Sequence, residues 1–329
     1  MKSIFPVKSS LLLSQTISTE VLPQFGLGAN SKCEYFTGGF SHTYRVTSEK
    51  GVVYFLKSYR TNWRTKADIQ YEMDVLNHLK KKNFPAIQPV KTITGEYYYP
   101  VNAPEGIRYL VLLTLAPGTL ASYEQKPEEV ATQYGQAVAQ MHNALDDFHS
   151  IHQRFPLDLD FFTVEPLKTI EPFLKNRPDD WHFIQQFANT LRQRIIDMPG
   201  FELELGFCHG DLQGYHANVS PDGTFTFFDF DCGGYGYRAY DLAVFLWCCR
   251  LENAISERWE PFLKAYKSQR VLTPLDERAI PLFVCARYLW HIGVHTRNTP
   301  DWGIEMINDE YLQDHLGKMR KAEEDYLLQ

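Results

Sequence analysis

The run Cys208-His209-Gly210-Asp211-Leu212-Gln213-Gly214-Tyr215-His216-Ala217-Asn218, followed by Phe227-Phe228-Asp229-Phe230-Asp231, constrains this chain more than any other stretch. Its two acidic clusters flank a hairpin whose turn is Asp222-Gly223. Thr224 to Phe230 is rich in aromatic and β-branched residues and ends in carboxylates. Asp229 and Asp231 lie two apart, so in a strand they point to the same side. The hairpin folds Asp211 and Asp229 toward one end of the sheet. Converging carboxylates repel unless something positive lies between them, and hard oxygen ligands suit Mg²⁺ shared with a phosphate. The pattern implies a phosphoryl-transfer site.

A chain of 329 residues is long enough for two domains and a large core. Its 44% hydrophobic and 14% aromatic content implies a folded protein. No apolar run approaches the ~18 residues of a membrane span, so no membrane is expected as a partner. Leu11-Leu12-Leu13 is too short for the apolar part of a signal peptide, which makes the cytoplasm the expected compartment. The six cysteines show no metal-ligand or disulfide spacing and read as buried thiols. A net charge of −7 argues against a nucleic-acid partner.

From Cys33 the pattern turns β-like: Glu34–Phe36, the small-residue turn around Gly38 and Gly39, Thr43–Val46, then Val52–Lys57. Gly38-Gly39 reads as a hairpin turn that also allows close approach of backbone to phosphate. Lys57 ends an apolar strand, either as an exit residue pointing to water or as a phosphate-facing ammonium. Ala67 to Leu79 is helical, with Ile69, Met73, Leu76 and Leu79 on one stripe. Glu72 lies off that stripe, as a solvated helix charge or a partner for the strand lysine. Val90–Thr92, Glu96–Val101 and Ile107–Leu113 read as strands. Thr114 and Leu115 form a connector able to offer backbone groups to a base. The domain boundary is placed there, giving residues 1–115 and 116–329.

Beyond it the pattern is helical over Glu128–Asp147, Asp180–Asp197, Ala254–Ser268, Asp276–Gly293 and Asp309–Gln329. His142 reads as a satisfied core histidine. Phe155–Phe173 reads as an irregular excursion, and Cys232–Tyr240 as a flexible loop rich in glycine and tyrosine. Asp241 starts a helix, Leu242–Cys249, that is apolar all round and so buried. A carboxylate there needs donors, from its own first turn or from the loop at His209.

The order of Gly38-Gly39, Lys57, Glu72, Met141-His142-Asn143, His209-Gly210-Asp211, Asp229-Phe230-Asp231 and Asp241-Leu242-Ala243 resembles the aminoglycoside phosphotransferase and choline kinase superfamily. Within it the chain is similar to the branch containing stress response kinase A and type II homoserine kinase, whose character the stretches Phe262–Tyr266 and Arg287–Trp290 share. The resemblance implies an α+β, two-lobed protein-kinase-like fold: a small antiparallel β-rich nucleotide-binding lobe with one main helix, and a larger helical lobe for catalysis and acceptor binding. It implies ATP and Mg²⁺ as cofactors and a hydroxyl-bearing acceptor. Asp211 would be the catalytic base and Asp229 a metal ligand, with Asp231 a second metal contact. Lys57, held by Glu72, would contact the phosphates; His209 and Asp241 would support the loop. By family position Tyr235, Tyr237, Trp290 and His291 would border the acceptor cleft, although large aromatics at helical spacing are more often core.

One departure bears on mechanism. The family pattern H-G-D-x-x-x-x-N puts a metal-binding Asn where this chain has His216, and Asn218 follows two residues later. Either side chain could fill the role, or the enzyme could be crippled. The leading reading is a kinase acting on a small-molecule hydroxyl. The alternatives are a Ser/Thr protein kinase and a nucleotide-binding pseudokinase.

Overall fold

The computed structural model describes residues 5–28, 30–198 and 203–328, and they fall into two compact units. The first comprises Met1–Thr119, Phe148–Arg154 and Asn218–Phe228. Strands β1 (Lys32–Gly38), β2 (Ser41–Thr47) and β3 (Val53–Tyr59) precede helix α1 (Lys66–Lys81), and β4 (Tyr99–Ala103) and β5 (Gly106–Thr114) follow it. They make one antiparallel sheet in the order β1-β2-β3-β5-β4. Period-two alternation sends Tyr44 and Val46, Leu56, and Leu110 and Leu112 into one core, with Ile17, Val21, Leu22 and Phe25 of the N-terminal segment.

That segment is helical over Ile17–Phe25 and runs through Pro23, because proline in a first turn removes no hydrogen bond. Helix α1 starts at a capping box, in which Thr65 Oγ1 accepts from Asp68 N–H and Asp68 Oδ2 accepts from Thr65 N–H. Its stripe is buried as predicted. Val90–Thr92 is not a strand. A single bridge pairs Pro89 with Leu113, and a proline without N–H does not extend a ladder. Strand β3 runs two residues beyond Lys57, to Tyr59.

The Asp222-Gly223 turn is present, with Ser220 and Thr224 closing the hairpin between Ala217–Val219 and Phe225–Phe227. In the first unit Phe227 exchanges backbone hydrogen bonds with Pro85 and Ile87. The second strand of the hairpin ends at Phe227, short of the expected Phe230.

The second unit comprises Leu120–Asp147, Phe155–Ala217 and Asp229–Gln329. Helices α2 (Pro127–Ala144) and α3 (Pro178–Ile196) match the predicted segments within a turn. Phe155–Phe173 is not irregular: it holds helical turns at Leu159–Thr163, Glu165–Ile170 and Glu171–Phe173. Asp158 caps the first, and Pro166 and Pro172 open the next two.

The glycine- and tyrosine-rich loop is also corrected. Strand β6 (Leu205–Cys208) pairs antiparallel with β7 (Gly234–Tyr237). Gly236 permits a close approach on its other side, where an added Cβ would lie 2.4 Å from the Leu157 carbonyl. Helix α4 (Arg238–Leu251) is buried from Arg238 to Cys249. Helices α5 (Glu260–Gln269), α6 (Pro274–Trp302) and α7 (Asp309–Tyr326) complete the unit. Helix α6 runs well past the predicted end at Gly293, and Gln329 lies outside the described residues.

Candidate active site

Strand β6 delivers Cys208 to a turn whose geometry admits only glycine at position 210. Gly210 has φ of +79°, and a Cβ there would lie 2.3 Å from the Cys232 carbonyl oxygen. The turn aims the His209 and Gly210 amides at one buried carboxylate. Asp241 Oδ2 accepts from His209 N–H and Oδ1 from Gly210 N–H, each at 2.7 Å. Of the two donor sets the sequence allowed, the loop's backbone is the one used.

Asp241 has a third partner, His142 Nε2 on α2 at 3.0 Å, and His142 Nδ1 meets the Tyr266 hydroxyl of α5 at 2.9 Å. Burial, reinforced by Arg238, holds the His142 pKa down at about 4. The ring is therefore neutral near pH 7, with Nε2–H donating to Asp241 and Nδ1 accepting from Tyr266. His142 is a satisfied core histidine whose partner is the brace of the loop.

Asp211 follows Gly210 and is nearly buried. Its Oδ1 accepts from Gln213 Nε2 at 2.7 Å and from the Arg287 guanidinium of α6. Its Oδ2 lies 3.4 Å from His216 Nδ1, which also reaches the Asp211 carbonyl oxygen at 2.8 Å. Burial pushes the carboxyl pKa up, but Arg287, His216 and Gln213 together hold it below the ordinary aspartate value.

The far side of the His216 ring faces Asp229, with Nε2 at 4.0 Å from Asp229 Oδ2. Burial lowers the His216 pKa, whereas Asp211 and Asp229 raise it, and the balance lies above the ordinary histidine value. Between the two carboxylates thus lies a histidine ring, with the Arg287 guanidinium on Asp211 as the fixed positive charge.

Asp229 has left-handed backbone at φ +64°, a conformation aspartate tolerates better than most residues, and its side chain is 44% exposed. Residues 230–232 form a single 3₁₀ turn. Asp229 and Asp231 therefore do not share a strand face, which corrects the expectation from alternation. Asp231 is buried, and its Oδ1 accepts from the Cys232 thiol at 3.4 Å. His209 is buried against Phe230, ring centroids 4.6 Å apart.

In the first unit, Lys57 and Glu72 are both buried, so the solvated-charge readings fail. Tyr59 engages both. Its hydroxyl donates to Glu72 Oε2 at 2.8 Å, and Lys57 Nζ lies 5.1 Å from its ring centroid. Gly38 pairs with His42 across the turn, and an added Cβ at Gly39 would meet nothing within 4 Å. The Thr114 amide donates to Gln88 O at 2.9 Å, so that donor is not presented to a base, while Leu115 is exposed. Asn218 Nδ2 donates to Ala116 O at 2.9 Å and ties down that connector.

Comparison with known proteins adds the family. A model of the "Phosphotransferase enzyme family" matches residues 32–278. The chain belongs to that family. An uncharacterised protein of Deinococcus radiodurans is 32% identical over 97% of this chain and 93% of its own length. One from Synechocystis is 26% identical over 96% of this chain and 87% of its own. Among solved structures, an amicoumacin kinase in complex with AMP-PNP, Ca²⁺ and Ami superposes with a TM-score of 0.74 at 21% identity, covering 89% of this chain and 88% of that one. A microcompartment-associated aminopropanol kinase gives 0.70 at 18% identity, with 93% and 94% covered. A choline/ethanolamine kinase family protein of Mesorhizobium loti gives 0.65 at 14% identity, with 94% and 93% covered. The fold is protein-kinase-like, with an antiparallel β-rich N-terminal part and a helical C-terminal part.

Within this member of the phosphotransferase family, sequence reasoning missed Arg287, Gln213 and Tyr59 as parts of the site. Arg287 entered only within a family-like stretch. Its signal was legible, because a single arginine inside the apolar run Phe283–Trp290 needs a buried acceptor. Tyr59 gave no signal, since an aromatic at a strand end is ordinary.

Proposed function

We propose that this phosphotransferase transfers the γ-phosphate of ATP to a hydroxyl of a small molecule with the help of Mg²⁺. The observation that carries the proposal is the convergence of Asp211 and Asp229 on His216 in a loop whose backbone is fixed by Asp241. The names of the superposed kinases support a small-molecule acceptor.

In this reading Asp211 orients the acceptor hydroxyl and takes its proton. Oδ1 is committed to Gln213 and Arg287, which leaves Oδ2 as the working oxygen. Its depressed pKa makes it a weak base, suited to positioning and to accepting the proton late. That fits phosphoryl transfer, where placement and charge stabilisation carry most of the catalysis. Lys57, packed on Tyr59, would contact phosphate oxygens.

The exposed carboxylate of Asp229 suits a hard cation. Asp229 would hold Mg²⁺, with His216 in the position the family gives to asparagine. When bound, the ion would supply positive charge that neutralises the developing charge on the transferred phosphoryl group. The proposed division of labour is nucleotide binding by residues 1–115 and catalysis and acceptor binding by residues 116–329.

A panel of hydroxyl compounds and protein substrates, assayed for Mg²⁺-dependent ADP release, tests the proposal. Wild type should turn over at least one small molecule, and Asp211→Asn should lose roughly 10²–10⁴-fold. Equal rates for the two proteins on every acceptor would refute it. A pseudokinase is the second reading, favoured by the double pairing of Asp211 with Arg287 and His216. It predicts a rise in melting temperature with Mg-ATP but no turnover on any acceptor.

A further inference from the structure

We propose that His291, His295 and His315 form a three-histidine site for a divalent transition metal of the zinc class, with a fourth coordination position open. His291 and His295 lie one turn apart on α6 and so share a face, and His315 comes from α7. Each offers one ring nitrogen, and the three lie within 4.8 Å of one another. Around zinc, with Zn–N near 2.0–2.1 Å, they would lie roughly 3.3 Å apart. Histidine χ2 rotates softly enough to supply that contraction.

The hydrogen bonds set which nitrogens are available. His315 Nδ1 lies 2.9 Å from the Tyr311 carbonyl oxygen, which only accepts, so Nδ1 carries the proton and Nε2 the lone pair. His295 Nδ1 is 2.9 Å from the Tyr311 hydroxyl, which can accept in the same way and leave Nε2 as ligand. One tyrosine thus orients two imidazoles, the arrangement that outer hydrogen-bond partners give metal-binding histidines. His291 Nδ1 is buried without a hydrogen-bond partner among the described residues, a costly state for a core polar atom that a bound ion would relieve.

Packing three imidazoles this closely against Trp302, Tyr311 and Trp247 serves no apolar core as well as leucine would. Burial lowers the pKa of all three rings, and neighbouring histidines lower those of His291 and His295 further, so the rings are neutral near pH 7. Imidazole ligands select Zn²⁺, Ni²⁺ or Cu²⁺ over Mg²⁺, which separates this site chemically from the carboxylates at Asp229. Arg287 lies one turn before His291 on α6, so the site adjoins the helix segment that holds Asp211.

The probe is Zn²⁺ alone, titrated into chelator-treated full-length protein against a chromophoric indicator. The wild type should bind one equivalent, with a rise in melting temperature, and Co²⁺ should give the intense visible bands of a four-coordinate site. His295→Ala and His315→Gln should each weaken Zn²⁺ binding at least tenfold and abolish the cobalt bands. His182→Ala, an exposed histidine on α3, should change neither. If His295→Ala does not fold, His315→Gln on the outer helix carries the same comparison. Equal affinity and stoichiometry in wild type and His315→Gln, or no Zn²⁺ bound by wild type at micromolar concentration, would overturn the proposal.

Discussion

The Arg287 guanidinium on α6 donates to the Asp211 carboxylate, a pairing across 76 residues of sequence. The same side chain reaches the Gly210 carbonyl and the Tyr240 hydroxyl, each at 3.3 Å, and its plane lies over the Trp290 ring at 4.2 Å. It therefore fixes the loop and depresses the basicity of the residue proposed to orient the acceptor.

Replacing Arg287 by Met should leave Asp211 without its strongest charged partner in a buried place. Breaking such a pair from one side costs about 3–5 kcal/mol of stability. On any acceptor found, kcat should fall about 10²-fold, and the acidic limb of the pH–rate profile should move to higher pH as the Asp211 pKa rises. Arg287→Lys keeps the charge but not the two-armed fork, so it should recover part of the rate. An unmoved acidic limb in Arg287→Met would separate Arg287 from the ionisation of Asp211.

Asp241 accepts three hydrogen bonds from a fully buried position, two from the His209 and Gly210 backbone amides and one from His142. Asp241→Asn keeps the shape but turns one acceptor into a donor that faces an N–H. Hydrogen bonds to charged acceptors are worth about 1.5–3 kcal/mol each, and a buried unsatisfied donor adds its desolvation cost. Urea unfolding should show a loss of roughly 3 kcal/mol, and activity should fall although Asp241 touches neither substrate nor nucleotide in the proposed mechanism. A loss below about 0.5 kcal/mol would mean that the loop holds its own shape.

Much of this was legible in the sequence, for identifiable reasons. The β-rich start, the stripe of α1 and the buried α4 follow from periodicity, which packing reinforces. Asp241 was legible because a carboxylate heading an apolar helix has to find donors. The strand pairing of Gly234–Tyr237 was not, because glycines there read as flexibility when they serve close packing against Leu157. The extended reading of Asp229-Phe230-Asp231 failed because the backbone is left-handed at Asp229 and turns 3₁₀ directly after it, which residue alternation does not encode. The choice between His216 and Asn218 was open in the sequence because the position of the family asparagine holds His216 and an asparagine follows only two residues later. In the structure their contacts differ: His216 hydrogen-bonds the Asp211 carbonyl oxygen and lies 3.4 and 4.0 Å from the two carboxylates, and Asn218 donates to Ala116 O.

Tyr59 offers a test in the first unit. Its hydroxyl donates to the buried Glu72, and its ring carries the Lys57 ammonium. Tyr59→Phe keeps the ring and removes only the donor. It should cost about 1.5–3 kcal/mol in stability, the range for a hydrogen bond to a charged group. If Lys57 contacts phosphate, loosening Glu72 should raise the KM for ATP several-fold while acceptor KM stays within twofold. An acceptor KM that shifts as much as that for ATP would argue against a nucleotide role for this cluster.

His142 provides the clearest pH dependence. Its folded pKa is lowered to about 4, by burial first, while the unfolded chain should titrate near 6.5. Above that value neither state binds the proton, and the group contributes no slope. Between about 6.5 and 4 the unfolded state binds a proton that the folded state refuses, so stability falls as pH falls. At about 1.4 kcal/mol per pH unit the full effect is of order 3 kcal/mol. His291, His295 and His315 are lowered as well and act with the same sign. His216 is raised and opposes them: its contribution is present below the unfolded value and is lost as pH rises through the folded one. His142→Gln can still donate to Asp241 and accept from Tyr266 but does not titrate. Urea unfolding of both proteins at pH 7.5, 6, 5 and 4.5 should therefore give a shallower fall for the variant, by about one proton. Parallel curves would mean that His142 is already protonated in the folded protein, and the neutral imidazole assigned to the Asp241 brace would be wrong.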